Sequence, residues 1–274
     1  SLGVPYEFAA MFSLPPENLL TLVAPFFFGD MVRFPYWGRW YLWEMSLFVS
    51  VTGFLLALYA VVFRKGGERV IAAVAAGILL LLAMGSYMPW FPFLQSWLPG
   101  FSLFRGVSKF VFQASLFVIL LSAMGLDSLV REGLQKRRYV LSILGIAAAL
   151  ALATGLAILQ SAGAPSGTWA EVMRAMQAAG GVYLPPDFYG NSLAIAKAGE
   201  FAAMNLIVLA VVCAVLAAVL FLRLTNIQKT SLLVCLAVFE LVFSGFAVRD
   251  TFKLADAWPA GMVTLLRQRA GENR

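Results

Sequence analysis

Residues 201–222 read Phe-Ala-Ala-Met-Asn-Leu-Ile-Val-Leu-Ala-Val-Val-Cys-Ala-Val-Leu-Ala-Ala-Val-Leu-Phe-Leu, without a charged side chain. A helix needs about 20 apolar residues to cross the hydrocarbon core of a bilayer. Other stretches meet the same requirement at 41–63, 70–88, 110–130, 139–160 and 230–248. The sequence therefore predicts an all-α fold, a polytopic transmembrane helix bundle of about six spans within residues 41–248.

The composition of the whole chain agrees with this interpretation. Hydrophobic residues make up 61% of the 274 residues, charged residues make up 12%, and the mean hydropathy is +0.85. A soluble domain carries about 25% charged residues. The excess apolar surface has to face lipid, so membrane lipid is the first expected partner.

Several classes of chemistry find no support in the sequence. The chain has no His, which removes the usual general base and metal ligand. Cys213 and Cys235 both lie inside apolar runs and lack metal-ligand spacing. No cofactor and no metal site are identified, although a divalent metal is not excluded. The aromatic segments carry few cations, which does not resemble a nucleic-acid surface.

The distribution of Lys and Arg predicts the orientation. The short connections at 64–69, 131–138 and 223–229 carry nine Lys or Arg residues. The positive-inside rule places such connections in the cytoplasm. With six spans, we therefore expect a multi-pass membrane protein with both ends of this chain extracytoplasmic. Both ends are interpreted as cuts through a longer protein, with 249–274 as the start of a truncated extracytoplasmic segment.

The predicted outer face holds the longest irregular segments. Residues 1–40 form an outer loop with a short helix, for which Ser13 is a candidate cap, and 89–109 and 163–199 form re-entrant or loop segments. The spacing predicts an amphipathic interfacial helix over 168–179, with a capping box from Thr168 to Glu171. Trp169, Val172 and Met176 are expected on its buried side, and Glu171 and Arg174 on its exposed side.

Four carboxyls are candidates for chemistry, each with a structural alternative. Glu240 lies near the middle of the last span, where a carboxyl marks a functional site or a hydrogen-bonded contact between helices. It is expected to face the bundle, with Ser244 within reach. Glu44 is placed at the first turn of the first span, where the helix dipole favours a carboxylate. Asp30 and Asp187 lie in outer loops, as acids, metal ligands or turn carboxylates.

Arg105 and Lys109 are four residues apart at the outer mouth of the third predicted span. Two cations so placed are a candidate site for a lipid phosphate or diphosphate. The alternative is general anchoring of long basic side chains at lipid headgroups.

Two motifs carry a resemblance to a known family. Pro16-Glu-Asn-Leu-Leu-Thr-Leu-Val-Ala-Pro-Phe-Phe-Phe-Gly-Asp30 is one, and Leu98-Pro-Gly-Phe-Ser-Leu-Phe-Arg105 followed by Lys109-Phe is the other. They resemble the YfhO-like bacterial membrane proteins. That family has Pro and Arg where this chain has Val107 and Lys109.

The resemblance implies a fragment of a GT-C-type glycosyltransferase. Such an enzyme moves a sugar from a polyprenyl-phosphate donor to a cell-envelope acceptor on the outer face. The resemblance also implies that the catalytic acid lies upstream of residue 1, so the catalytic residue is unknown. The alternatives are a transporter or flippase of a lipid-linked or envelope precursor, and a non-catalytic membrane scaffold.

Overall fold

A computed structural model describes residues 5–98, 101, 106–164, 166–249, 261, 264 and 268–270. Its α-helices are α1 Tyr6–Ala10, α2 Leu42–Met45, α3 Val51–Phe63, α4 Gly67–Ala83, α5 Phe91–Trp97, α6 Phe110–Glu132, α7 Arg137–Ala162, α8 Thr168–Ala179, α9 Pro186–Gly190, α10 Ser192–Phe221 and α11 Asn226–Ala247. Short 3₁₀ helices cover Pro16–Leu22, Gly85–Tyr87 and Val107–Lys109. The predicted segment 249–274 lies almost wholly outside the described residues.

Four of these helices are long and apolar enough to cross a membrane. They are α6 with its preceding 3₁₀ turn, α7, α10 and α11. This confirms the all-helical class and indicates a multi-pass membrane protein. The helices α3 and α4 have 13 and 17 residues. The prediction of six spans therefore stays a prediction for the first two.

The basic connections meet at one end of the bundle. Arg64 donates a hydrogen bond from Nη1 to Asp127 Oδ2 at 2.9 Å, near the end of α6. Asn226 Nδ2 donates to the Val130 carbonyl at 3.4 Å, and Arg137 donates to the Phe221 carbonyl. We call this end the basic end. The opposite end, where residues 5–50, 84–98, 163–164 and 166–191 lie, we call the aromatic end.

Cysteine labelling in intact cells tests which end faces outward. A cysteine at Ser166, exposed at the aromatic end, is expected to react with an impermeant thiol reagent. A cysteine at Gly66, exposed at the basic end, is expected to react only after permeabilisation, because cationic loops stay in the cytoplasm. Replacing Cys213 and Cys235 by Ala removes the background. Labelling at Gly66 and protection at Ser166 would reverse the topology.

Small residues bring the long helices together. Gly125 on α6 packs against the backbone of Leu56 on α3, and Ser122 donates to the Gly53 carbonyl at 2.7 Å. On the other side of the bundle, Gly155 of α7 packs against the backbone of Ala203 on α10. Lipid gives no hydrophobic drive for helix association, so close backbone approach and hydrogen bonds have to supply it.

The first predicted span is not one continuous helix, which corrects the sequence interpretation. Within 41–63, α2 ends at Met45, an irregular stretch runs from 46 to 50, and α3 begins at Val51. Ser50 is the residue before α3, and its hydroxyl accepts a hydrogen bond from the Gly53 amide at 2.8 Å. Apolar composition continues through the break, so hydropathy alone does not reveal it.

The fifth predicted span begins earlier than expected, because α10 starts at Ser192 and so includes residues assigned to the outer segment 163–199. The Asn191 side chain accepts hydrogen bonds from the amides of Leu193 and Ala194, which fixes this start.

The helix predicted over 168–179 is present with those bounds as α8, but two details were wrong. Trp169 and Met176 are buried as expected, whereas Val172 is 44% exposed and Met173 is buried instead. The residue before α8 is Gly167 and no side chain caps it, so Thr168 forms no capping box. The same pattern does form a capping box at Thr225 and Gln228, before α11.

A packed aromatic layer covers the aromatic end of α7 and α10. Trp37 and Tyr189 are fully buried, and the Tyr189 hydroxyl donates to the Trp37 carbonyl at 2.9 Å. Trp169 donates from Nε1 to the Ile195 carbonyl at 2.9 Å. The aromatic layer therefore covers α7 and α10 at this end of the bundle.

Ser13 does not cap the predicted short helix. Its hydroxyl donates to the Ala10 carbonyl and accepts a hydrogen bond from the Ser86 amide.

Candidate functional site: a broken helix beside an intramembrane cavity

The carboxyl of Glu240 lies at the amino-terminal end of α3. It is buried and accepts a hydrogen bond from the Val51 amide at 2.5 Å. The Thr52 amide donates to it at 3.4 Å, and the Thr52 hydroxyl donates to Oε1. The first amides of a helix have no partner within it, and its positive dipole end favours a carboxylate. Glu240 therefore caps α3 from another helix.

Glu240 faces the bundle, as predicted, but Ser244 is not its hydrogen-bond partner. Along α11, Glu240 lies about 21 Å from the first residue and about 10 Å from the last. Unpaired backbone groups away from water cost several kcal/mol. The Glu240 carboxyl supplies the acceptor that the first amides of α3 lack within their own helix.

Ser50 holds a strained backbone at this break. Its φ of 69° and ψ of 148° lie in a region that is almost confined to glycine. The hydrogen bond from Gly53 to its hydroxyl and the carboxyl of Glu240 both hold the turn in place. Strain at an interrupted helix is typical of positions with a functional constraint.

A cavity of about 620 Å³ opens beside this broken helix. The residue stretch 43–50, the start of α3, and the facing sides of α6 and α11 form its walls. Most of the wall is apolar, including Leu56, Phe112 and Val238. Glu44, Ser108 and Lys109 supply polar groups where the cavity approaches the aromatic end. An elongated apolar molecule with a polar head matches this distribution.

Lys109 lies in the cavity wall and is exposed, and it is the member of the predicted cation pair that the structure describes. Arg105 lies outside the described residues. Gly106, with φ of 69°, turns the chain into the 3₁₀ helix that places Lys109 before α6. A left-handed φ suits glycine, so the local sequence explains this position.

Ser108 is a polar residue of the cavity wall that sequence reasoning missed. Its side chain is fully buried, and its hydroxyl has no hydrogen-bond partner among the residues that the structure describes. Ser108 is fixed through its backbone, since its amide donates to the Phe12 carbonyl at 3.1 Å. A buried hydroxyl without a partner loses the hydrogen bonds it makes in water.

Replacing Ser108 by Ala is expected to raise the free energy of unfolding by about 1 kcal/mol, because the uncompensated hydroxyl is removed. Ser122→Ala is the matched control on the same cavity wall, because the Ser122 hydroxyl has the Gly53 and Val118 carbonyls as acceptors within 2.8 Å. In that control, the free energy of unfolding is expected to fall by about 1 kcal/mol. Unfolding in detergent measures both. A clear loss of stability in Ser108→Ala would show that the hydroxyl is paired.

Asp30 is a turn carboxylate and not a free acid. It is buried, and Oδ1 accepts from the amides of Val32, Arg33 and Phe34 at 2.8–3.1 Å. The Arg33 side chain pairs with Oδ2 at 2.6 Å. Burial raises the pKa of Asp30, but the Arg33 pair and the amide hydrogen bonds outweigh it and hold the pKa below its usual value.

A lowered pKa in the folded protein links Asp30 to stability at acid pH. Its contribution is complete above the unfolded pKa of about 3.9 and is lost as pH falls through the lower folded value. Asp30→Asn is expected to cost about 1–3 kcal/mol at neutral pH and to flatten the stability curve below pH 4. Urea unfolding from pH 3 to 7 measures this. Equal acid sensitivity in both proteins would contradict the assignment.

The other two candidate carboxyls differ in position. Glu44 is half-buried in α2 and lines the cavity, so it lies before the break and not in the first turn of a spanning helix. Asp187 is exposed in the first turn of α9, away from the cavity wall. The structure therefore brings Glu44, Ser108 and Lys109 to one cavity, and leaves Glu240, Asp30 and Asp187 outside its walls.

Within the described part of the chain, no group of three His, Cys, Asp or Glu residues could hold a metal ion. The fold and the cavity together define the class, a multi-pass membrane protein with an intramembrane cavity beside an interrupted helix. No family model, curated protein or solved structure matches the chain.

Proposed function

We propose that this chain forms the donor-lipid-holding part of a GT-C-like glycosyltransferase. The observation that carries the proposal is the cavity, whose apolar walls end at Lys109 on the aromatic end. Small-molecule sites have volumes of about 300–1,000 Å³, and the cavity falls inside that range. The polyprenyl chain lies along α6 and α11, and Lys109, together with Arg105, holds the phosphate.

Glu44 lines the same cavity, but the proposal assigns the catalytic acid to none of the described residues. The acceptor is a cell-envelope polymer that approaches from the aromatic end, which is extracytoplasmic in the bacterial cytoplasmic membrane. The YfhO-like resemblance supports this reading through the motif that contains Lys109.

Sugar transfer by the full-length protein tests the proposal. The purified protein in proteoliposomes receives a radiolabelled sugar on polyprenyl phosphate and an envelope extract as acceptor. Transfer that depends on the protein and stops when the phosphate is absent from the donor is expected. If the donor remains intact with each of several sugars and envelope fractions, the result would count against a glycosyltransferase.

Transport of a lipid-linked precursor is the second candidate, and one observation favours it. Discontinuous helices whose amino-terminal ends meet an anionic group are typical of secondary transporters. Here α3 begins inside the bundle and meets the Glu240 carboxyl. Movement of a fluorescent lipid phosphate across proteoliposomes, measured without any acceptor, separates this function from sugar transfer. If neither assay shows activity, the non-catalytic membrane scaffold is the remaining function.

A further inference from the structure

A groove of about 280 Å³ runs along α3 toward the basic end. It lies between α3 and α7, and the last turns of α10 form its floor with the buried side chains of Leu216 and Leu220. Leu56 and Leu233 also line the cavity of the candidate site, and the other walls of the groove are different residues. We call this feature the basic-end groove.

The basic-end groove is apolar, open on one side and as long as one leaflet of hydrocarbon. Its rim is formed by Leu58 and Val62 of α3 and Ile143 of α7, which are 45–64% exposed. Its wall on α3 extends from Thr52 to Phe63, a distance of about 16 Å along the helix. The hydrocarbon core of a bilayer is about 30 Å thick, so half of it matches this length.

Cations lie where the groove reaches the basic end. Lys136 follows the wall residue Leu134 by two positions, and Arg137 lies one turn before the wall residue Val140 on α7. Arg137 also donates a hydrogen bond to the carbonyl of Phe221, directly after the floor of the groove on α10. Its guanidinium lies 5.2 Å from the centroid of that ring. These contacts place Arg137 at the mouth of the groove.

The positive charge at the mouth is not balanced by the carboxylates of this end. The three basic connections carry nine Lys or Arg residues against Glu68 and Glu132. Glu68 pairs with Arg64, and Glu132 accepts a hydrogen bond from Gln135. Within the described residues, Lys136 and Arg137 are exposed and pair with no carboxylate. A guanidinium has five N–H donors, so Arg137 keeps donors for an anion after its bond to the carbonyl.

We propose that the basic-end groove binds one acyl chain of an anionic phospholipid, whose phosphate lies at Lys136 and Arg137. The apolar length accepts the chain and the cations at its mouth accept the phosphate, an arrangement that basic pockets between membrane helices use for anionic headgroups. The site is separate from the proposed donor site and does not depend on it.

The bound chain would connect two parts of the bundle. The helix α3 packs chiefly on α6, and α7 packs chiefly on α10. The groove lies between these two pairs, so a chain inside it contacts both. Tyr139, exposed in the first turn of α7, places an amphipathic ring beside the mouth, where tyrosine favours the headgroup level.

Photo-crosslinking of the full-length protein in nanodiscs tests the site. Phosphatidylglycerol with a diazirine midway along one acyl chain is compared with phosphatidylcholine that carries the same chain. At Leu58 and Ile143, the ratio of phosphatidylglycerol adducts to phosphatidylcholine adducts is expected to be about tenfold higher than at Ile71. Ile71 is exposed on α4 near the basic end and does not line the groove, so it reports ordinary contact with the same leaflet.

The combined substitution of Lys136→Asn and Arg137→Gln removes both cations. Lys136 has a φ of 43°, a left-handed conformation that Asn tolerates, and Gln retains a donor for the Phe221 carbonyl. This variant is expected to reduce the ratio at Leu58 and Ile143 to that at Ile71. Arg69→Gln is the matched control, because it removes a cation from α4, which does not line the groove, and it is expected to leave the ratio unchanged.

Equal ratios at the groove and at Ile71 in the parent protein would overturn the site, and this comparison needs no variant. Labelling of Ile71 without labelling of Leu58 and Ile143 would overturn it too, because another part of the full-length protein would then cover the groove. A ratio that persists in the double variant would overturn the phosphate position. No polyprenyl donor is present, so each outcome is independent of sugar transfer.

Discussion

Replacing Glu240 by Ala is expected to lower the free energy of unfolding by about 3 kcal/mol, the effect of losing its hydrogen bonds and leaving buried donors unpaired. The amides of Val51 and Thr52 lose their acceptor, and unpaired backbone amides away from water cost several kcal/mol. The substitution also removes one of the two buried contacts of α11.

Thermal unfolding in nanodiscs measures this loss, with two comparison proteins. Glu240→Gln keeps an oxygen that accepts a hydrogen bond from the Val51 amide, so its loss of stability is expected to be smaller than that of Glu240→Ala. Glu68→Ala removes an exposed carboxyl that pairs with Arg64 at 3.5 Å at the basic end, and is expected to change stability by less than about 1 kcal/mol. Equal stability of Glu240→Ala and the parent would mean that the carboxyl does not cap α3.

The double substitution Arg105→Ala and Lys109→Ala is expected to reduce sugar transfer by the full-length protein about 30-fold or more. Each cation near a membrane surface contributes about 1 kcal/mol toward an anionic lipid, and more where it is partly dehydrated. Lys109 lies in the cavity wall, where the apolar lining reduces the water around a bound phosphate. The substitutions are expected to act chiefly by lowering the affinity of the protein for the donor.

The controls separate phosphate binding from general anchoring. Lys197→Ala removes an exposed cation on α10 that does not line the cavity, and full transfer is expected. Arg105→Lys keeps the charge but loses the planar fork that binds two phosphate oxygens, so a clear loss indicates a specific site. Normal transfer by the double mutant, with matched expression, would remove these two residues from the donor site.

The long helices were predictable because lipid constrains their composition over many residues. The runs 110–130, 139–160 and 230–248 differ from α6, α7 and α11 by at most four residues at either end. The turn at Asp30 was also within reach, since its partners follow within four residues. In both cases the physical cause is local in sequence.

The break before α3 was not predictable for the opposite reason. Glu240 lies 189 residues from Val51 along the chain, so no local pattern connects them. The sequence marked Glu240 as costly at that depth and predicted that it faces inward, but not that it caps another helix. The burial of Ser108 in the cavity wall was not predictable either, because the role of a single serine depends on the residues that pack around it.

The cavity beside α3 is expected to hold a lipid chain. Photo-crosslinking with farnesyl phosphate that carries a diazirine near its chain end tests this most directly, with adducts mapped by peptide mass spectrometry. Adducts are expected on Phe112, Ile119 and Val238, which line the cavity. Competition by unlabelled farnesyl phosphate should remove them more effectively than farnesol does. Adducts spread evenly over lipid-facing residues such as Ile71 and Leu150, with none in the cavity, would contradict the account.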